Sequence, residues 1–239
     1  MASAVYIDGK WTDGHGARLS NTCPATGEIV WEGNAADADQ VSKATASAHK
    51  AFRHWSRLPQ SDRTAVMVRY ADEIGKRTEE IATTISRDMG KVLWETRAEA
   101  ATMKAKVAVS IAAQNERAGS KYEQAAFGSS HLTHRAHGVM AVFGPFNFPG
   151  HLPNGHIVPA LLAGNTCVFK PSELAPGVAA LMDVSISFMA PGKRAERFST
   201  LRSMVFCLRD RPIRASSFTN TLRVAPMSSL RSKWVAIIR

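Results

Sequence analysis

Cysteine is scarce in this chain of 239 residues, and its scarcity excludes the folds that depend on it. The three cysteines, Cys23, Cys167 and Cys207, are an odd number without Cys-x-x-Cys spacing, so neither a disulfide framework nor a zinc knuckle is indicated. Cys167 stands in an apolar run typical of a strand. That position predicts a small buried hydrophobic side chain.

Long hydrophobic runs are also missing. No stretch approaches the roughly 18 apolar residues that a membrane span requires, and residues 1–10 lack the basic and apolar segments of a secretory signal. We therefore expect a cytoplasmic chain without a membrane partner. The hydrophobic content of 45% is sufficient for a globular core.

Acidic residues are few in the last quarter of the chain. The formal net charge is +10, and residues 177–239 carry eleven Lys and Arg against three acids, which leaves +2 for residues 1–176. Clustered basic residues bind phosphates by releasing counterions, so a nucleic-acid-binding tail is one alternative function. Because the tail has no recognisable reading helix, we expect no specific nucleic-acid partner.

Turn dipeptides and apolar spacing predict two hairpins followed by a layer of helices. Asp8-Gly9 and Thr26-Gly27 favour tight turns between short extended segments. Four helices are predicted: Asp37 to Trp55, a second that begins with a cap at residues 61–63, a third that ends at Gly90, and Ala98 to Arg117.

A strand, a short helix and a second strand are predicted next. Val139 to Phe143 suits a strand buried on both faces, His156 to Ala163 a helix, and Thr166 to Phe169 the following strand. This order is a parallel unit, so we predict the start of a doubly wound α/β domain, preceded by helices and a small strand extension. A Gly-x-Gly-x-x-Gly loop is absent.

Three motifs between residues 143 and 176 carry a family resemblance. They are Gly-Pro-Phe-Asn-Phe-Pro at 144–149, Pro-Ala-Leu with Ala-Gly-Asn at 159–165, and Lys-Pro-Ser-Glu at 170–173. In order and spacing they resemble signatures of the aldehyde dehydrogenase superfamily, which also lacks the Gly-x-Gly-x-x-Gly loop. Gly-His-Leu-Pro-Asn-Gly-His at 150–156 resembles the branch that acts on succinylglutamate semialdehyde in arginine catabolism.

The resemblance implies an incomplete Rossmann-like domain that binds NAD, at residues 1–176. It assigns Asn147 to stabilising the oxyanion that forms when a thiolate attacks an aldehyde. Taken singly, such an Asn is typical of a turn and Ser172 of a helix cap, so the assignment depends on the motifs occurring together. The implied cofactor-binding residues are Pro145, Phe146, Asn147, Lys170, Ser172 and Glu173.

The implied reaction is the NAD-dependent oxidation of N-succinylglutamate 5-semialdehyde to N-succinylglutamate, with another semialdehyde or aldehyde as the alternative. Residues 121–137 match the family's protruding oligomerisation hairpin, which implies a homo-oligomer for intact members. This segment also contains His131, His134 and His137. Because it is extended and has no carboxylate or cysteine partner nearby, no metal site is expected.

From about Gly177 the resemblance stops, and the family's general-base segment and nucleophilic cysteine are not visible. We therefore expect no dehydrogenase activity, a poorly ordered tail, and a sheet with an unpaired edge. When each codon's last base is joined to the next two bases, residues 232–239 permit Leu-Glu-Met-Gly-Gly-Asn-Asn-Pro, which is the family's general-base segment. The sequence thus predicts a one-nucleotide frameshift near codons 177–196.

Overall fold

Two hairpins open the chain in the computed structural model, which describes residues 5–187, 205–207 and 235–238. Strand β1 (Val5–Ile7) pairs with β2 (Lys10–Thr12), and the turn residues have positive φ, 51° and 79°, as a tight two-residue turn requires. Strand β3 (Arg18–Thr22) pairs with β4 (Ile29–Asn34) around a glycine with φ of 75°. Both predicted hairpins are confirmed.

Four helices follow, and their number and order agree with the sequence prediction. Asp37 caps the first of them, because its carboxylate accepts a hydrogen bond from the Gln40 amide at 2.8 Å while the Gln40 side chain accepts one from the Asp37 amide. Gly90, with φ of 68°, ends the third helix as predicted. The helices are α1 (Ala38–Trp55), α2 (Gln60–Lys76), α3 (Thr78–Met89) and α4 (Leu93–Arg117).

Two of the predicted starts among α1 to α4 are wrong. Helix α2 begins at Gln60, directly after Pro59, and no side chain caps it, so residues 61–63 lie in its first turn instead of before it. Proline fixes the backbone angle that starts a helix and has no N–H to leave unpaired. Helix α4 begins at Leu93, five residues before the predicted Ala98, and it is the longest helix described.

A separate hairpin projects beyond α4. Strand β5 (Ser120–Ala125) pairs with β6 (Gly128–Thr133), and every residue of both strands is exposed. Phe127 at its tip is fully exposed. The predicted hairpin within residues 121–137 is confirmed as a hairpin, and its part in assembly remains a prediction.

The predicted parallel unit is confirmed. Strand β7 (Val139–Phe143) runs parallel to β8 (Thr166–Lys170), and helix α5 (His151–Leu162) connects them. This helix begins five residues before the predicted His156. Pro153 lies in its first turn, where proline is tolerated. Helix α6 (Pro176–Ser187) follows in a region for which no helix was predicted.

The prediction of an unpaired sheet edge beside β7 and β8 is wrong. Strand β9 (Val205–Cys207) runs parallel to β8, and β10 (Val235–Ile238) pairs antiparallel with β7. The described sheet has the order β10-β7-β8-β9-β1-β2. The predicted disorder of the tail concerns residues 188–204, 208–234 and 239, which lie outside the described residues.

The main core lies between α2, α4 and α5 and the sheet, with Trp55, Tyr70 and Phe169 among its largest buried side chains. Trp55 Nε1 donates to the Leu161 carbonyl at 2.9 Å, and Arg63 Nε donates to the Leu162 carbonyl at 3.0 Å. These bonds satisfy carbonyls at the end of α5 that have no partner within the helix. Among the described residues, no helix has the length and apolar character needed to cross a membrane.

Candidate functional site

Two loops lie side by side where β7 and β8 end. Phe143 is paired with Lys170 across the parallel ladder, and the Gly144 amide donates to the Lys170 carbonyl at 2.8 Å. The loop of residues 144–149 and the segment 170–173 therefore start from the same edge of the sheet. In open α/β sheets this edge, at the carboxyl ends of the strands, is where ligands bind.

The first loop presents Asn147 to solvent. Asn147 is exposed, and no residue in the described part of the chain makes a hydrogen bond with its side-chain amide. Phe146 is half exposed, and Pro145 is partly buried. At Gly144 a Cβ would lie 3.0 Å from the ring of Phe169, so the backbone of the loop lies close against the core.

The second segment carries an ion pair. Lys170 Nζ donates to Glu173 Oε2 at 2.9 Å and to the Pro171 carbonyl at 3.0 Å. Burial tends to raise the pKa of Glu173, but its own backbone N–H and the charge of Lys170 outweigh this and lower it. Ser172 is buried and accepts a hydrogen bond from the Leu174 amide at 3.2 Å, so its hydroxyl stabilises the turn.

A buried carboxylate that the sequence analysis missed lies beneath the first loop. Glu99 accepts hydrogen bonds from the Gly150 and His151 amides at 3.1 and 3.2 Å, at the positive end of α5. Lys91 Nζ lies 3.2 Å from Glu99 and 4.1 Å from the centre of the Phe148 ring. Glu99 could have been found from its position in α4, because it continues the four-residue spacing of the buried Met103 and Val107.

Another buried polar residue joins three helices. Asn154 on α5 accepts a hydrogen bond from the Tyr70 hydroxyl at 2.9 Å and donates one to the Met103 carbonyl at 2.8 Å. Its side chain is fully buried. Together with Glu99, Asn154 fixes the position of α5 against α2 and α4.

Asp88 holds the start of α6. Its carboxylate accepts hydrogen bonds from the Gly177 amide at 2.9 Å and from the Asn21 side chain at 3.3 Å. Burial raises the pKa of Asp88 to about 6, although these bonds act in the opposite direction. The residue thus links α3, β3 and α6, but it does not line either loop.

The two cysteines whose side chains are described lie outside the loop that carries Asn147. Cys167 is fully buried in β8, as predicted, and burial raises the pKa of its thiol to about 12. Cys23 lies in the connection between β3 and β4, where hydrogen bonds from Thr26 lower its pKa. The side chain of Cys207 lies outside the described part of the chain.

The three histidines between residues 130 and 138 do not converge. His131 packs edge-on against Tyr122, His134 Nδ1 lies 2.8 Å from the Gly119 carbonyl, and the His137 amide donates to Asn165 Oδ1 at 2.7 Å. Within the described ranges, no three His, Cys, Asp or Glu side chains are grouped closely enough to hold a metal ion.

Fold and candidate site together define a class, an α/β protein with two adjacent loops at the carboxyl ends of parallel strands. Residues 11–187 match the model of the aldehyde dehydrogenase family, and the chain belongs to that family. The match runs to the end of α6, beyond the point near Gly177 at which the resemblance was expected to stop.

Known relatives extend well past the matched region. The chain is 58% identical over 175 residues to the N-succinylglutamate 5-semialdehyde dehydrogenase of Burkholderia mallei (strain SAVP1), covering 73% of this chain and 36% of that protein. It therefore spans about a third of the length of this curated relative.

Solved structures agree on the fold. An aldehyde dehydrogenase from Brucella melitensis biovar abortus 2308 superposes with a TM-score of 0.78 at 21% identity, over 87% of this chain and 42% of that one. Aldehyde dehydrogenase C of Pseudomonas syringae, a C291A mutant complexed with NAD+ and octanal, gives 0.74 at 27% identity, over 87% and 41%.

Proposed function

We propose that residues 11–187 supply the cofactor-binding and aldehyde-binding loops of an NAD-dependent dehydrogenase for N-succinylglutamate 5-semialdehyde. The observation that carries this proposal is the shared edge of the sheet, where the loop holding Asn147 lies next to the pair Lys170 and Glu173. The named relative at 58% identity supports the substrate. Another semialdehyde or aldehyde is the alternative.

Asn147 is the residue proposed to stabilise the oxyanion. Its amide is exposed, and within the described residues it has no hydrogen-bond partner, so it can donate to an oxygen that gains negative charge. A single donor of this kind contributes roughly 3–4 kcal/mol to the transition state in comparable sites. The Lys91–Glu99 pair and the amides of α5 hold the residues that follow Asn147 in place.

Lys170 and Glu173 suit the ribose of NAD. An ammonium group donates and a carboxylate accepts, which are the two functions that neighbouring ribose hydroxyls require. Pro145 and Phe146 are proposed to line the channel for cofactor and substrate, and Ser172 to fix the turn that carries Glu173. NAD, when bound, would supply the acceptor for the hydride that leaves the substrate.

We propose further that these 239 residues alone do not oxidise aldehydes. The reaction needs a thiolate, and a buried thiol with a pKa of about 12, that of Cys167, is neither ionised nor accessible near neutral pH. The exposed β5–β6 hairpin, within residues 121–137, is proposed as the contact between copies of the intact enzyme.

Calorimetric titration of the chain with NAD tests the proposal. Lys170→Met should weaken NAD binding about tenfold, the equivalent of one charge-assisted hydrogen bond. The matched control is Lys76→Met on α2, which removes a lysine that also pairs with an acid three positions away, and it should leave NAD binding unchanged. A chain that binds no NAD, or equal losses in both variants, would refute the assignment. NADH formation from an aldehyde would refute the predicted inactivity.

A further inference from the structure

Two stretches of the chain contain no acidic residue, and the fold brings them together. Neither residues 40–61 nor residues 124–172 contain Asp or Glu. A Cβ at Gly164 would lie 3.4 Å from Ala136 Cβ and 3.5 Å from Ser56 Cα. The end of α1, the segment before β7 and the turn after α5 therefore meet at this glycine. Positive side chains near this junction have no carboxylate from either stretch to pair with.

The exposed arginines of the described fold form two groups. In the first group, each guanidinium lies between 2.5 and 3.7 Å from a carboxylate. In the second group, no carboxylate of the described residues lies within ion-pair distance. The first group consists of Arg18, Arg87 and Arg97, and the second of Arg53, Arg57, Arg117 and Arg135.

The unpaired arginines lie together, around the junction at Gly164. Arg57 and Arg135 adjoin the two residues that meet there. Lys50 and Arg53 lie one to two turns before Arg57 on the same side of α1, and Lys50 is exposed and likewise has no acid partner among the described residues. The pairing of β5 with β6 brings the last residue of α4 toward Arg135. This cationic patch consists of Lys50, Arg53, Arg57, Arg117 and Arg135.

A buried cation adds to the charge of the patch. Arg63 is only 9% exposed, and a Cβ at Gly164 would lie 3.6 Å from its Cζ. Its guanidinium donates to uncharged oxygens, which belong to the carbonyls of Leu162 and Leu58 and to the side-chain amide of Gln60. Because these oxygens carry only partial negative charge, a net positive charge remains beneath the junction.

Neither helix stability nor the candidate cofactor site accounts for the patch. The helix dipole favours cations in the last turn, which explains Arg53 but not Arg57 and Arg135, because both lie beyond the helix ends. The patch lies at the amino ends of β7 and β8, whereas the loop with Asn147 lies at their carboxyl ends. Since β7 has five residues, the two edges are roughly 15 Å apart.

We propose that the cationic patch binds the phosphate backbone of single-stranded nucleic acid without reading its sequence. Guanidinium groups pair with phosphates through two parallel hydrogen bonds. A single strand is flexible enough to follow a patch that crosses three segments of the chain. His134 and His137 flank Arg135, and their exposed rings offer surfaces on which bases stack. The patch belongs to the described fold and is separate from the basic tail of residues 177–239.

Fluorescence anisotropy with a labelled oligouridylate of about 12 nucleotides, within the usual site size of such surfaces, tests the patch. The triple variant Arg53→Gln, Arg57→Gln, Arg135→Gln removes three phosphate contacts. Each contact contributes about 0.7 to the slope of log K against log salt, so the slope should fall by about 2 and binding should weaken about a hundredfold at roughly 0.1 M salt. Lysine at the same three positions keeps the charge and should retain binding to within about threefold.

Two matched controls each remove three positive charges elsewhere. The first changes the three paired arginines of the first group to Gln. The second is Arg209→Gln, Arg211→Gln, Arg214→Gln in the basic tail. Each control should weaken binding less than about threefold, because it leaves the patch intact. A loss in either control equal to that in the patch variant would overturn the inference, and so would no binding to the unaltered chain.

Competition experiments separate this site from the cofactor edge and from other anionic partners. Saturating NAD should leave oligouridylate binding unchanged, and displacement by NAD would overturn the inference by placing the nucleic acid at the cofactor loops. Oligouridylate binding should persist even in a chain that binds no NAD, so the two proposals can fail separately. Tighter binding to polyglutamate or to phosphatidylserine vesicles than to oligouridylate would overturn the assignment to a nucleic-acid backbone.

Discussion

The two sides of α5 differ in how completely their polar groups are paired. On the inward side, Asn154 exchanges hydrogen bonds with Tyr70 and Met103, and Glu99 meets two amides and one ammonium group. On the outward side, His151 Nδ1 has no partner among the described residues, and a Cβ at Gly155 would meet only Lys106 Cε, at 3.4 Å. The polar groups of the inward side are therefore paired within the fold, whereas a polar atom on the outward side is not.

This difference separates residues that fix the packing of α5 from residues that its packing leaves exposed. Removal of an inward group leaves its partners buried and unpaired, which costs stability. Changes on the outward side should leave the free energy of unfolding nearly unchanged, or raise it. Substitutions at Glu99 and Gly155 test this comparison, and a substitution at Asp88 extends it to a buried carboxylate outside α5.

The largest effect is expected for Glu99→Ala. This change leaves the Lys91 ammonium, which is only 16% exposed, without its closest acid, and it removes the acceptor for two amides. Breaking one partner of a buried ion pair costs roughly 3–5 kcal/mol, and urea denaturation should show a loss of that size.

Glu95→Ala is the matched control for this loss. Glu95 lies 4.0 Å from the same lysine and its side chain is 42% exposed, so its removal should cost less than about 0.5 kcal/mol. Similar losses for Glu95→Ala and Glu99→Ala would mean that the burial of Glu99 at the start of α5 does not increase its contribution to stability.

An intermediate effect is expected from the titration of Asp88. Its pKa rises from the usual 3.8 to about 6 on folding, so the folded chain holds this proton more tightly than the unfolded chain. The contribution of Asp88 to stability is thus greatest below pH 3.8 and is lost as the pH rises through about 6. At about 1.4 kcal/mol per pKa unit, the loss amounts to roughly 3 kcal/mol.

Asp88→Asn isolates this contribution from other acids. Glu79 and Glu80 have lowered pKa values, because hydrogen bonds from arginine stabilise their charged forms, and they favour folding at higher pH. As the pH rises from 4 to 7, the unfolding free energy of the natural chain should therefore fall relative to that of Asp88→Asn. A difference that stays constant across this range would contradict the raised pKa.

The smallest effect is expected for Gly155→Ala, and it has the opposite sign. Alanine should stabilise the helix by about 0.5–1 kcal/mol, since its Cβ meets only Lys106 at 3.4 Å. Gly150→Ala, one turn earlier on the inward side, should destabilise by roughly 1–3 kcal/mol, because Met103 would have to move. Thermal unfolding of both variants checks the pair, and shifts of the same sign would contradict the distinction between the two sides.

Local chemistry explains which parts of the fold could be predicted from the sequence. The turns at Asp8-Gly9 and Gly90 depend on residues that tolerate positive φ, and the apolar run of β7 depends on burial, so both are visible within a few residues. The start of α5 was missed because Pro153, usually a helix breaker, lies in the first turn.

The candidate site was likewise predictable only where the signal is local in the sequence. Sequence motifs predicted the position of Asn147 and Lys170 at neighbouring strand ends, since consecutive parallel strands end at one edge. Glu99 was missed because its amide partners lie 51 and 52 residues further along the chain, and no local pattern records a contact at that distance. The frameshift, the residues' roles and the assembly remain predictions.

The hydrogen bonds from Trp55 and Arg63 to the last carbonyls of α5 connect segments that are 106 and 99 residues apart. During translation, α1 and α2 leave the ribosome long before α5 has been synthesised. At roughly 5–20 residues per second, the delay is about 5–20 s. For that time the nascent chain exposes the apolar faces that α5 and the sheet will later cover, so this interval is when a chaperone would be needed most.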